Sequence, residues 1–319
     1  IKKIGLTALA ASLVSVSAHA GEMSVAGGAS IASEGYSGEK LNAGTTFSMG
    51  NQLTFTGSGE LDNGLNVSLS FVLDQGDDTA VSSGPFDSHS VTVSSDAMGS
   101  LTLAGEGGSS AATSIDGSAA GDIWDTFDGS RGHVTAVAVS DAGPGNNSLF
   151  YTTPAIMDGL AVNLSYQPQG SNRESGTGYG FTYTGVEGLT ASYAVTDEVG
   201  TTTALSGDQT VWKLSYAYGP VTATASNSDF DVGTASSDQE LSSFALSYTV
   251  TDELSVTYGE ETIEKGGDPT DAEYSVIKAS YTAGGMTITA NMKEGENVDH
   301  TTNSSADFEY WGLSASFAF

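Results

Sequence analysis

Residues 306–319 read ADFEYWGLSASFAF, and the alternation in this stretch decides the fold. Successive side chains of an extended strand point to opposite faces. Trp311, Leu313, Ala315, Phe317 and Phe319 then share one face, and Gly312, Ser314, Ser316 and Ala318 share the other. One face is apolar from end to end; the other is small and polar. Tyr310 and Trp311 stand where an aromatic belt is expected, because amphipathic rings favour the headgroup level of a bilayer. A terminal Phe319 with a free carboxylate would lie uncovered on a water-soluble domain. On a strand that closes a barrel in lipid, acyl chains would cover it.

The opposite end begins with Lys2-Lys3, continues as an apolar run from Ile4 to Val16 diluted by Ser and Thr, and reaches Ala18-His19-Ala20. A basic start, a short hydrophobic region and an A-x-A site predict a secretory signal peptide over residues 1–20. Residues 21–319 would then be the folded part. The apolar run is shorter than the ~20 residues a spanning helix needs, and no longer one follows it. Hydrophobic residues make up 38% of the chain and glycines number 41, which suits a water-filled barrel better than a thick apolar core. There is no cysteine, so an exported chain of this length must hold together without disulfides.

The charge is lopsided. Asp and Glu total 39 against 9 Lys and Arg, a formal net charge of −30. Nucleic acid is excluded as a partner, since phosphate contacts need basic patches.

From Glu22 onward sixteen alternating segments of about ten residues follow one another, the length a tilted strand needs to cross a bilayer. The first, 22–31, sets Met23, Val25, Gly27, Ala29 and Ile31 on one face. The second, near 46–61, alternates Phe47, Met49, Leu53 and Phe55 with Gln52, Thr54 and Thr56. Asp62-Asn63-Gly64 is a hairpin signal, and Leu65, Val67, Leu69 and Phe71 carry the pattern onward. Later pairs meet at Asp96-Ala97-Met98-Gly99, Met157-Asp158-Gly159, 185–188, Gly219-Pro220, 251–253 and 282–285. Tight turns follow the even strands, and loops of ten or more polar residues are expected after the odd ones. Short turns at one rim and long loops at the other are the rhythm of an up-and-down transmembrane barrel. Tyrosines bunch towards strand ends, among them Tyr166, Tyr193, Tyr216, Tyr218, Tyr248, Tyr258 and Tyr281. The expected fold class is all-β: a 16-stranded antiparallel transmembrane barrel.

Residues 147–154, NSLFYTTP, with Gly159-Leu160 and Ser165-Tyr166 after them, resemble the N-S-x-x-Y-x-[TS]-P … G … Y run that follows the third loop of general trimeric porins of the Gram-negative outer membrane. Residues 99–106, GSLTLAGE, resemble the fifth-strand motif of that family. The resemblance implies an outer-membrane location, a homotrimer among the membrane lipids, and passive diffusion of small hydrophilic solutes and ions. It implies that the third loop folds into the barrel as a constriction, and that the barrel-assembly machinery recognises Phe319 as an assembly signal. No cofactor is implied, although acid-rich external loops offer possible Ca²⁺ or Mg²⁺ ligands.

The break in periodicity from 106 to 146 is the expected constriction loop. It holds Glu106, Asp116, Asp122, Asp125 and Asp128 with the cation Arg131, and Ile123, Trp124 and Phe127 among those acids need an apolar seat. Where the family sets basic residues on the wall opposite, this chain has no arginine cluster. Parity turns only Lys213 and Lys278 inward, with Lys293 as the one further candidate. The expected channel is therefore cation-selective. A substrate-specific channel of the same fold, or a secreted acidic Ca²⁺-binding adhesin or structural protein, are the alternatives. No enzyme is expected: G-x-S-x-G, H-E-x-x-H and P-loop motifs are absent, and His89, His133 and His300 stand apart. The stretch 227–231, NSDFD, alternates oxygen ligands but has Val232 where a chelating loop would need Gly.

Overall fold

The computed structural model describes residues 22–37, 44–74, 87–115, 117–127, 139, 142–143, 146–169, 175–198, 207–232, 238–298, 300–302 and 306–319. The expected signal peptide lies outside the described residues.

Sixteen strands run in chain order: β1 (Glu22–Ser37), β2 (Gly44–Glu60), β3 (Asn66–Asp74), β4 (Ser88–Ser95), β5 (Gly99–Glu106), β6 (Ser148–Thr152), β7 (Leu160–Gln167) and β8 (Gly176–Tyr183). They continue as β9 (Leu189–Glu198), β10 (Gly207–Tyr218), β11 (Val221–Val232), β12 (Gln239–Thr249), β13 (Leu254–Lys265), β14 (Ala272–Ala283), β15 (Met286–Glu296) and β16 (Phe308–Ala318). Each pairs antiparallel with its sequence neighbours, and β1 pairs with β16 from Gly28↔Ala318 to Ser37↔Glu309, so the barrel is closed. Closure leaves no open sheet edge, the condition for strands to cross lipid. Beyond the last strand residue, Gly27 and Phe319 exchange both backbone hydrogen bonds, at 2.7 and 3.0 Å.

The two faces differ as the alternation requires. Leu101, Leu103, Leu164, Trp212, Leu214, Phe244, Leu246, Ile277 and Leu313 point outward and are exposed, and Tyr166, Tyr216, Tyr248, Tyr281 and Trp311 stand among them. A continuous exposed apolar band of this kind is a lipid-facing surface. On the inner face, directly opposed residues of neighbouring strands pair their hydroxyls. Thr92 meets Thr102 at 2.8 Å, Thr182 meets Ser192 at 3.1 Å, Ser215 meets Thr224 at 3.0 Å, and Ser247 meets Thr257 at 2.8 Å. These hydroxyl pairs line the lumen near the short turns, with Lys278 beside Thr257.

The long-loop rim differs from the sequence expectation. Strands run further than the alternation shows, and several connections shrink accordingly: β13 and β14 are joined by residues 266–271 alone, and β11 and β12 by 233–238. The reason is an inversion of polarity above the lipid. There Phe230, Val232, Leu241, Ile263, Ala272 and Tyr274 face inward and are buried. Asp208, Asp229, Asp231, Glu260, Glu273 and Glu294 face outward and are exposed or half-exposed. Backbone pairing continues while the apolar–polar sense flips, so these extensions read as polar loop in the sequence. Residues 227–231 belong to β11. A strand turns Asn227, Asp229 and Asp231 to one face and Ser228 and Phe230 to the other, so this stretch is not a chelating loop.

Candidate functional site

The site is the segment after β5, which folds into the barrel. Its 3₁₀ turn, Ile123–Phe127, buries Ile123 and Phe127 completely. Their seat is made by the inward apolar side chains of β12–β16, chiefly Leu241, Ile263, Tyr274, Val276 and Phe308, with Val298. Phe127 stacks on Tyr274 and Phe308 at centroid distances of 5.8 and 6.3 Å. Burying two such side chains stabilises the seated loop by roughly 3–6 kcal/mol. The inverted rim is thus the apolar seat that Ile123 and Phe127 require.

Backbone N–H groups of the loop are held by polar side chains on successive strands. Ala111 donates to Ser165 Oγ on β7 (2.9 Å), Ala112 to Thr196 Oγ1 on β9 (2.9 Å), Ala119 to Ser226 Oγ on β11 (2.7 Å) and Ala120 to Ser243 Oγ on β12 (2.9 Å). Further along, Ala142 donates to Gln209 Oε1 on β10 at 2.8 Å. The loop lies so close to the wall that a Cβ at Gly259 would stand 2.7 Å from that of Ala120. Small residues on both sides make this approach possible.

Glu261 on β13 is the charged member of this set, with only 1% of its surface exposed. Its carboxylate accepts the Ser118 hydroxyl and the Trp124 N–H (3.1 Å), and the Ile123 N–H bonds to it as well. Ser118 Oγ in turn accepts the N–H groups of Gly121 (3.1 Å) and Asp122 (2.8 Å). A buried carboxylate is tolerable when donors converge on it, and here the donors are the start of the 3₁₀ turn.

The sequence-nominated residues divide three ways. Glu106 ends β5 half-buried, and Asp122 is half-buried with Oδ1 accepting the Ser118 N–H at 2.9 Å. Asp125 is exposed on the 3₁₀ turn. Asp116, Asp128 and Arg131, like His133, lie outside the described residues. On the wall, Lys213 points inward and donates to the Gly117 carbonyl at 3.2 Å. Lys293 donates to the Thr126 hydroxyl and stands 5.7 Å over the Tyr310 ring, while Lys278 is half-buried on the inner face of β14. His89 stacks on Phe71 at 6.4 Å, and His300 lies 3.0 Å from the Thr270 carbonyl through Nδ1. No group of three His, Asp or Glu among the described residues is placed to hold a metal ion.

Sequence reading missed Glu261, Ser118 and the hydroxyl anchors. Their only signal was parity: Glu261 shares the inward face of β13 with Gly259 and Ile263, where a lone carboxylate is out of place.

Comparison with known proteins agrees with this geometry. A family model described as Gram-negative porin matches residues 5–319. No curated protein sequence matches the chain. Among solved structures, a variant of the porin of Rh. blastica is similar at 15% identity and a TM-score of 0.68, covering 93% of this chain and all of that one. The anion-selective porin from Comamonas acidovorans is similar at 15% identity and 0.66, covering 94% and 100%. Salmonella typhi OmpF in complex with daunomycin is similar at 13% identity and 0.71, covering 94% and 98%.

Proposed function

The chain belongs to the Gram-negative porin family, channels rather than enzymes, seated in the bacterial outer membrane, and from that premise we propose that it is a trimeric, cation-preferring diffusion pore for small hydrophilic solutes, exported through cleavage of residues 1–20. The observation that carries the reading is a loop pinned inside a closed barrel whose inner wall, among the described residues, carries pairs of hydroxyls. Such a lumen passes hydrated solutes and offers no reacting group.

The charge preference is set chiefly at the mouth. Inside the barrel, acids such as Glu34 and Asp122 are set against the cations Lys213, Lys278 and Lys293. Most described acids of β10–β16 stand instead on the outer side of the external rim. An acidic rim concentrates cations at the entrance and raises their rate of entry. This chain's excess of acid is the opposite of what an anion-selective relative would need.

A KCl gradient across a planar bilayer tests the sign: the reversal potential is expected to show cation preference. The preference should weaken with salt, because the Debye length falls from about 10 Å at 0.1 M to about 3 Å at 1 M. Neutralising Glu260, Glu273 and Glu294 together is expected to remove more of it than converting Asp122 and Asp125 to Asn. Anion preference at low salt would overturn the reading.

A further inference from the structure

The seam, where β16 meets β1, has an uneven inner face. Towards the short turns its inward pairs are small: Gly28 with Ala318, Ser30 with Ser316 and Ala32 with Ser314. Large side chains bunch at its other end. Tyr36 meets Tyr310 edge-on at 4.9 Å, and the Tyr310 hydroxyl crosses the seam to donate to Glu34 Oε2 at 2.9 Å. Glu34 is buried there. Thr126, near the end of the 3₁₀ turn, docks on this cluster. Its carbonyl accepts the Tyr36 hydroxyl of β1 at 3.2 Å, and its hydroxyl accepts from the Lys293 ammonium of β15. Lys293 stands 5.7 Å over the Tyr310 ring, and Phe127 stacks on Phe308 of β16. Two adjacent loop residues thus touch both strands of the seam and the strand beside it.

We propose that Tyr36 is a positioning residue that makes seating of the loop conditional on closure of the barrel. Its hydroxyl stands at Thr126 only while β1 is paired with β16, because β1 otherwise joins the sheet through β2 alone. The other anchors do not depend on the seam. Ser165, Thr196, Ser226, Ser243 and Glu261 lie on β7–β13, each paired with its sequence neighbours, and Lys293 lies on β15, which pairs with β14 whether or not the seam is shut. The loop can therefore be held along most of its length on an open sheet, and its Thr126 end is fixed last. Coupling of this kind is reciprocal, so the seated loop also holds the seam.

The test uses the purified protein in detergent micelles, with Trp212→Phe and Trp311→Phe leaving Trp124 alone of the three tryptophans. Trp124 packs against the apolar seat, so its quenching by acrylamide reports loss of the seated loop. Gly27 and Phe319 exchange both backbone bonds, and pairs along an antiparallel ladder alternate, which makes Ala32 and Ser314 a closely spaced pair that a disulfide can bridge. Ala32→Cys with Ser314→Cys, once oxidised, locks the seam. In urea low enough for the heat-modifiable band to persist, the lock is expected to slow exposure of Trp124 roughly two- to tenfold, the scale of one hydrogen bond. Tyr36→Phe keeps the ring and removes the hydroxyl; it should speed exposure and cancel the effect of the lock. Lys293→Met should speed exposure and leave that effect in place. Equal slowing by the lock in Tyr36→Phe, or a lock without effect in the parent, overturns the coupling.

Discussion

Gly27 and Phe319 show how single positions close the barrel. Their backbones exchange two hydrogen bonds at the seam, and the Phe319 ring lies where a Cβ on residue 27 would stand. The ring is 74% exposed on the outer wall. Phe319→Ser is expected to leave export intact and to lower the amount of heat-modifiable, folded barrel on gels. Gly27→Val displaces the ring and keeps the backbone bonds. If it reduces folded protein as much as Phe319→Ser does, the ring's seat is what matters; if only Phe319→Ser does so, recognition of the terminal aromatic during assembly is the remaining role. Glu261 is the comparable position inside the lumen. Replacing it by Ala strands the Ser118, Ile123 and Trp124 donors, at about 1–3 kcal/mol for each one left unsatisfied. Glu261→Ala should therefore give larger and noisier single-channel currents, while Glu261→Gln, which still accepts hydrogen bonds, should stay closer to the parent.

At the scale of elements, the loop after β5 and the extended ends of β11–β16 form one unit. The strands bring Leu241, Ile263, Tyr274, Val276 and Phe308 inward where the 3₁₀ turn lies, and the turn brings Ile123 and Phe127 where these strands cover them. Removing the largest plug tests this dependence. Phe127→Ala is expected to cost about 3–5 kcal/mol of loop seating. The strand pairing does not pass through Phe127, so the barrel itself should survive. The predicted signature is an altered conductance with an unchanged far-UV spectrum and unchanged heat-modifiability. Loss of the β-spectrum instead would show that the loop holds the barrel together.

For the whole molecule, the outer wall is not uniform around its circumference. On β1 and β2 the outward positions include Gly27, Ala29, Ser33 and Gly35 beside highly exposed apolar residues, with Phe47 at 84% and Ile31 at 57%. Small residues let surfaces approach closely inside a membrane. The opposite wall carries the aromatic belt and, above it, the acids. A trimer contact through the first strands and β16, as proposed above, would bury the former and leave the latter in lipid. Since the chain has no cysteine, single Cys substitutions report this directly. Ile31→Cys and Phe47→Cys should crosslink between subunits, and Tyr216→Cys and Tyr248→Cys should not. The reverse pattern would move the interface to the other side of the barrel.

The sequence by itself determined the barrel. Alternation with period two survives wherever one face meets lipid and the other meets water, since each side chain is then chosen by a uniform solvent on its own side. That is why the strands, the tight turns and the outward tyrosines were legible, and why residues 306–319 sufficed to set the reading. Parity also turned Lys213 and Lys278 inward. The tertiary structure alone decided what fills the lumen. Above the lipid the inner face packs against a loop from more than a hundred residues away in sequence, so Leu241, Ile263 and Phe308 are apolar for a partner that local periodicity does not contain. The anchors Thr196, Ser226, Ser243 and Glu261 look like ordinary lumen polar residues until the loop's N–H groups arrive at them. Whether an acid faces the pore or the outer rim likewise depends on where a strand leaves the membrane, which the overall charge of −30 does not tell.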